Sequence, residues 1–231
     1  MVTRKDIQDA LKAALPIMLG YIVIGTPCGV MENEIGIGPA FAFIISCTLY
    51  SGAGQFMMSP MVLAGTPLAS IALSIGLVSS RQMLYAAAFS PFFTHVRKRL
   101  TVLFAATVTD ESFGVNMDRF LAAEPWDERR ATLVNLFSML SWGTANAIGS
   151  ALGAVIAFPT DILSFGMTSI FVCLLVGQLA SAASGVVCAV ALIAVGALKL
   201  AGLGGVAIFA GAVAGIIAGL IFEEVRGHAG S

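Results

Sequence analysis

PLASIALSIGLVSSRQMLYAAAFSPFF, residues 67–93, holds a single charged side chain, Arg81, in an otherwise apolar run. The run does not alternate polar with apolar residues as strands of a membrane barrel do, and it is long enough for a helix crossing of about 20 residues. Arg81 lies too far from either end for its guanidinium to reach water easily. Placed there, it needs an anionic partner within the protein.

Working outward, comparable apolar runs lie near residues 14–31, 39–64, 100–117, 132–158, 162–180, 183–200 and 203–222. Hydrophobic residues make up 58% of the chain, charged residues only 11%, and the mean hydropathy is +0.95, well outside the range of soluble domains. The predicted fold class is an all-α polytopic membrane protein with about 7–8 transmembrane helices, some of them broken or re-entrant. Residues 1–231 read as one transmembrane domain, and the one sizeable polar connection is DRFLAAEPWDERR, residues 118–130.

Several classes drop out on composition. A net charge of −1 excludes a strongly basic nucleic-acid binder. Cys28, Cys47, Cys173 and Cys188 lie in apolar stretches without CxxC or metal-ligand spacing, so they read as packing residues, and neither a metal nor another cofactor is predicted. No P-loop is present. Met1–Lys12 carries both signs of charge and no small-residue cleavage site, so the first apolar segment is expected to stay in the membrane.

Eight successive crossings with a cytoplasmic N-terminus would put Arg4, Lys5, Lys12, Arg119, Arg129, Arg130 and Arg226 inside and Arg97, Lys98, Arg99 and Lys199 outside. The Arg97–Arg99 cluster then violates the positive-inside rule. A re-entrant or split segment before it would remove the conflict.

Two interruptions of the apolar runs are candidate helix breaks: Gly25, Thr26, Pro27, Cys28 and Gly29, then Ser51, Gly52, Ala53, Gly54 and Gln55. Broken helices at membrane depth free backbone groups, and transporters use their half-helix N-termini to hold substrate carboxylates. For the glycines, close helix packing is an equal reading, whereas Gln55 tips toward binding. Gly211, Gly215 and Gly219 form a ladder at four-residue spacing in an uninterrupted helix and read as packing alone. Gly25, Pro27, Gly29, Ser51, Gly52, Gly54, Gln55, Ser80, Arg81 and Gln82 are the candidate substrate-binding residues.

Besides Arg81, the charges inside apolar runs are Asp110 and Glu111. Adjacent helical residues point about 100° apart, so one carboxylate pairs with Arg81 and the other is left for a proton or a substrate ammonium. This acidic pair is the candidate proton-coupling site, the alternative being a purely structural ion pair. Asn135, Asn146 and Gln178 read as helix-bridging amides, Trp126 as an interfacial anchor, and His95 and His228 as water-facing groups near span ends.

The motifs resemble the AzlC/YgaZ family of branched-chain amino acid exporters. The resemblance covers most of the chain: Leu15, Pro16 and the glycines through Gly29; Ser51-Gly52-Ala53-Gly54-Gln55-Phe56; Arg81 in SSRQMLYAAAFSP; Thr109-Asp110-Glu111-Ser112-Phe113, similar to the family's TDExF signature; and Phe165, Phe171, Leu174 and Leu175. Where members usually read Asn-x-Arg-His, this chain has Ser79-Ser80-Arg81-Gln82. The resemblance implies secondary-active, multi-pass export of valine, leucine, isoleucine or methionine across a bacterial inner (cytoplasmic) membrane. It also implies a small AzlD/YgaH-like membrane subunit as partner, with membrane lipid around the complex and room for a higher oligomer.

Other classes stay open at this level. They are an accessory membrane subunit, a transporter of another small solute, and an intramembrane enzyme using Asp110 and Glu111. The last is disfavoured, because neighbours on one helix diverge where aspartyl chemistry needs carboxylates facing across a site. No enzyme activity is therefore expected.

Overall fold

The computed structural model describes residues 3–122, 125–156, 181–202 and 204–228, together with Phe165, Ser169, Val172, Leu175, Val176 and Leu179. Among the described residues every regular element is helical. The chain divides into two compact units, residues 1–159 and 160–231.

In the first unit, α1 (Arg4–Glu34) starts at Thr3, whose Oγ1 accepts the Asp6 N–H at 3.2 Å while Asp6 Oδ2 accepts the Thr3 N–H at 2.8 Å. It runs without interruption through Pro16 and Pro27. The break expected at Gly25–Gly29 is thus not formed. A Cβ on Gly29 would run into the backbone of Asn146 and Ser150, and one on Gly149 into that of Thr26, so these glycines let α1 lie directly against α8 (Glu128–Val155). Pro27 costs one helical hydrogen bond, and the packing on α8 holds the helix continuous across it.

The two long helices run parallel. Arg130 pairs with Asp6 at 2.8 Å at one end, Ser141 Oγ donates to the Met18 carbonyl at 3.0 Å near the middle, and Gly153 lies against Val30 and Asn33 at the other.

Each remaining apolar run of this unit is divided. The run 39–64 forms α2 (Pro39–Leu49) and α3 (Gly52–Leu63). The run 67–93 forms α4 (Leu68–Ser79), α5 (Arg81–Ala88) and a 3-10 turn, Ser90–Phe93, and the run 100–117 forms α6 (Lys98–Thr107) and α7 (Asp110–Leu121). The polar connection expected over 118–130 is shorter, since α7 reaches Leu121 and α8 begins at Glu128.

The half-length helices fold back in two places. Phe104 on α6 and Phe120 on α7 both pack on Phe93, with ring centroids 4.5 and 6.4 Å away. A straight helix would separate those two residues by about 24 Å. Asn116 on α7 and Phe104 on α6 also both meet Asn135 of α8. So α6 climbs to Val108 and Thr109, both extended, and α7 returns.

The pair α2 and α3 does the same from the opposite end. Ile37, just before α2, accepts from Ser150 of α8, while Gly143 of α8 faces Phe43 and Cys47 further along α2. Tyr50, left-handed at φ 35°, turns the chain, and Gln55 of α3 then reaches back to Ser46 and Glu32, both at 2.8 Å.

By contrast, α4 and α5 continue in one direction. Ile75 faces Gly54, Ser79 meets Ser51, Arg81 meets Asp110, and Tyr85 and Phe89 pack on Phe113. The first unit is therefore three end-to-end traverses, α1, α4–α5 and α8, with two hairpins entering from opposite ends.

Eight successive crossings would put Arg97, Lys98 and Arg99 at the end opposite the start of α1, and this topology does not. A cavity of about 760 Å³ is lined by His95, Arg97, Arg99, Glu128 and Arg129, and a smaller one by Lys5, Lys12, Arg119 and Arg130. The cluster therefore shares the end that carries the start of α1 and of α8.

In the second unit, α9 (Ala182–Leu200) and α10 (Gly204–His228) form an antiparallel pair joined through Gly202 at φ 78°. Gly211 faces Ala191 and Val195 and Gly215 faces Val187 and Ala191, so the ladder lets the two backbones approach. Cys173, Phe171, Leu174 and Gln178 lie outside the described residues, as does the greater part of the run 162–180. Three described helices are long and apolar enough to cross a membrane, Arg4–Glu34, Leu68–Ala88 and Ala182–Leu200.

Candidate functional site

The two hairpins meet halfway along α1 and α8, and their returning helices, α3 and α7, both start there. Ser51 caps α3, accepting the Gly54 N–H at 3.3 Å and the Ser79 hydroxyl at 2.8 Å. The N–H groups of Gly52 and Ala53, half-buried in that first turn, have no acceptor within the helix. A helix N-terminus in this state favours an anion. Gln82 of α5 donates to the Tyr50 carbonyl at 3.0 Å and ties the second traverse, α4–α5, to the same tip.

At the other tip, Ser112 Oγ accepts the Thr109 N–H at 2.9 Å, and Asp110 and Glu111 occupy the first turn of α7, not the middle of a continuous span. The carboxylates diverge as their adjacency requires. Asp110 Oδ2 lies 2.9 Å from Arg81 Nη1, both side chains being about one-third exposed at 29% and 37%. Glu111, exposed, accepts the Tyr21 hydroxyl at 2.7 Å, and the same hydroxyl lies 2.9 Å from Thr109 Oγ1.

Behind the tips is a fully buried polar group. Gln55 donates through Nε2 to Glu32 Oε1 and Ser46 Oγ, both at 2.8 Å, and its Oε1 accepts from Trp142 Nε1 of α8. Gln55, Glu32 and Ser46 are all 0% exposed. The Trp142 ring stands edge-on to Tyr21 with centroids 5.2 Å apart. The two tips are thereby joined through α8.

The structure thus brings Ser51, Gly52, Gly54, Gln55, Arg81, Gln82, Asp110 and Glu111 to one region. Gly25, Pro27 and Gly29 lie in continuous α1, with Gly25 against Ala145 and Trp142. The Ser80 hydroxyl turns to the Leu77 carbonyl at 2.7 Å.

Sequence reasoning missed Glu32, Tyr21 and Trp142. Glu32 is three residues beyond Gly29, on the face that packs on α8, and that spacing was the available signal. Asn135 bridges Asn116 and the Phe104 carbonyl as a structural amide, whereas Asn146 donates to Trp142 within its own helix. Trp126 joins the aromatic cluster around Phe89 and Phe120, with Arg119 5.5 Å from its ring. No group of three or more His, Cys, Asp or Glu that could hold a metal ion occurs among the described residues.

Half-length helices that start at mid-depth beside an ion pair and a buried acid define a multi-pass membrane protein with a polar centre. The sequence model of the AzlC protein family matches residues 16–156, which contain the whole of this centre, and the chain belongs to that family. It is 28% identical over 220 residues to the inner membrane protein YgaZ of Escherichia coli, covering 93% of this chain and 89% of that protein. It is 26% identical over 184 residues to the branched-chain amino acid transport protein AzlC of Bacillus subtilis, covering 77% and 71%. An uncharacterized membrane protein of Helicobacter pylori is 29% identical over 175 residues. No solved structure matches. The protein resides in the inner (cytoplasmic) membrane.

Proposed function

We propose that this chain is a secondary-active, proton-coupled exporter of branched-chain or other hydrophobic amino acids, valine, leucine, isoleucine and methionine, and that it has no enzyme activity. The observation that carries this reading is the meeting of the α3 N-terminus with the acidic first turn of α7. Gly52 and Ala53 offer N–H donors to a carboxylate, Glu111 offers an acceptor to an ammonium, and Arg81 neutralises Asp110 beside them. That is the charge pattern of a zwitterion. The name of the Bacillus subtilis relative points to the same substrate class.

In this reading the first unit crosses the bilayer three times and the two hairpins are re-entrant. A small AzlD/YgaH-like membrane subunit is the proposed partner. Asp110 and Glu111 point to different partners, which suits binding and proton transfer better than paired-carboxylate catalysis.

The test is efflux of labelled valine, leucine, isoleucine and methionine from proteoliposomes, with and without the small subunit, under an imposed pH gradient. Gradient-driven efflux that disappears in Asp110→Asn or Glu111→Gln supports the reading. Efflux that is absent with both subunits present refutes it.

A further inference from the structure

Glu32, in the buried group with Gln55 and Ser46, has been assigned no role so far. Its Oε1 accepts from Gln55, but its Oε2 is buried without a hydrogen-bond partner. No Lys or Arg is within ion-pair reach of it among the described residues. From α3 it is approached by Gln55, and through Gln55 it is linked to Ser46 of α2 and Trp142 of α8, all neutral, while the titratable groups nearest on α1 are buried Cys28 and exposed Glu34.

The orientation of Gln55 decides what the open oxygen can take. An indole N–H only donates, so Trp142 fixes the Gln55 carbonyl toward itself and turns the NH₂ group toward Glu32. A donor facing the carboxylate repels a metal cation, and a lone acid falls short of the ligand set a divalent ion needs. The cation that compensates a fully buried carboxylate with no Lys or Arg in reach is a proton.

We propose that Glu32 is a second proton-binding carboxylate, separate from Asp110 and Glu111, and that Gln55 transmits its protonation to the start of α3. This deepens the transport reading and rests on it for the consequence of protonation, but not for the protonation itself. With Glu32 ionised, its Oε1 holds one Gln55 N–H while Ser46 takes the other, and this contact pulls α3 onto α1. With Glu32 neutral, that hold relaxes, and Trp142 and Tyr21 carry the change toward Glu111. No bond other than the O–H of Glu32 forms or breaks, the proton coming from and returning to water on opposite sides of the membrane.

Two measurements test this on the full-length chain in proteoliposomes. Tryptophan fluorescence is titrated with pH, and Trp142→Phe assigns the signal. A transition present in the wild type, lost in Glu32→Gln and restored in Glu32→Asp supports the proposal. Its absence in the wild type, or its persistence in Glu32→Gln, overturns it. In parallel, labelled leucine is followed by counterflow and by pH-driven efflux. The ratio of the two collapses to its no-gradient value in Glu32→Gln if Glu32 couples, and stays at the wild-type value if it does not. Absence of leucine counterflow in the wild type with the small subunit also present counts against the transport reading, while the fluorescence titration still decides whether Glu32 takes up a proton.

Discussion

The hydroxyl of Tyr21, midway along α1, donates to Glu111 in the first turn of α7 at 2.7 Å, a contact across 90 positions of sequence. It ties the first traverse to the tip of the second hairpin, and Trp142 supports the ring from the side. Tyr21→Phe keeps that ring contact and removes only the hydroxyl. The expected cost in stability is that of the hydroxyl's two hydrogen bonds, to Glu111 and Thr109, about 0.6–1.7 kcal/mol each. Efflux should fall further than the small loss of stability explains, because Glu111 is then free to reorient. Thermal unfolding in detergent beside proteoliposome flux checks this, and wild-type flux in Tyr21→Phe would refute a positioning role.

Arg81 and Asp110 should behave as a unit. Either Arg81→Gln or Asp110→Asn alone strands a charge at mid-depth, whereas the double variant strands none. A double-mutant cycle on unfolding should give a favourable coupling of about 0.5–3 kcal/mol, with the double variant more stable than additivity predicts. Additive effects would show that the pair contributes nothing to the fold. Transport is expected to stay low in all three variants, since the first turn of α7 loses its aligned acid.

Glycines of α1 divide by what they face. Gly29→Ala places a methyl into the backbone of Asn146 and Ser150, whereas nothing lies within 4 Å of a Cβ on Gly20. The first substitution should destabilise by about 1–3 kcal/mol through forced separation of α1 and α8. The second should be neutral or favourable by up to about 1 kcal/mol, because alanine is the better helix former. Equal effects of the two on detergent melting would refute the parallel α1–α8 interface.

Arg81, Asp110 and the Ser51–Gln55 turn were legible because each breaks an apolar run with a polar group that hydrocarbon does not tolerate. Gly25–Gly29 looked the same on paper and became packing. The difference lies in Gly149 and Asn146, more than a hundred residues away, which fill the space a break would need. Glu32 escaped because counting apolar residues ends the first span at 31, before a helix that continues to Glu34. Tyr21 and Trp142 read as ordinary apolar-span aromatics until their polar atoms had partners. The hairpins were invisible to a length ruler, since two half-length helices contain as many apolar residues as one crossing. Besides the Ser51–Gln55 break, only the misplaced charge of Arg97–Arg99 hinted at them.

That hint gives the most decisive prediction. In a chain of eight successive crossings with a cytoplasmic N-terminus, the turn after α3 would lie inside and the segment before α6 outside. The two opposed hairpins reverse both. Ala64, exposed in the turn between α3 and α4, lies toward the end of α1, and Lys98, exposed at the start of α6, stands between Arg97 and Arg99, which line a cavity with Glu128 and Arg129 at the start of α8. Cysteines introduced as Ala64→Cys and Lys98→Cys, in a chain with Cys28, Cys47, Cys173 and Cys188 replaced, report this directly. A membrane-impermeant thiol reagent applied to intact cells should label the first and spare the second until the membrane is opened. The opposite pattern would mean that α2–α3 and α6–α7 each cross the bilayer. The shared packing of Phe104 and Phe120 on Phe93 would then have to be broken, and the meeting of the α3 and α7 N-termini with it.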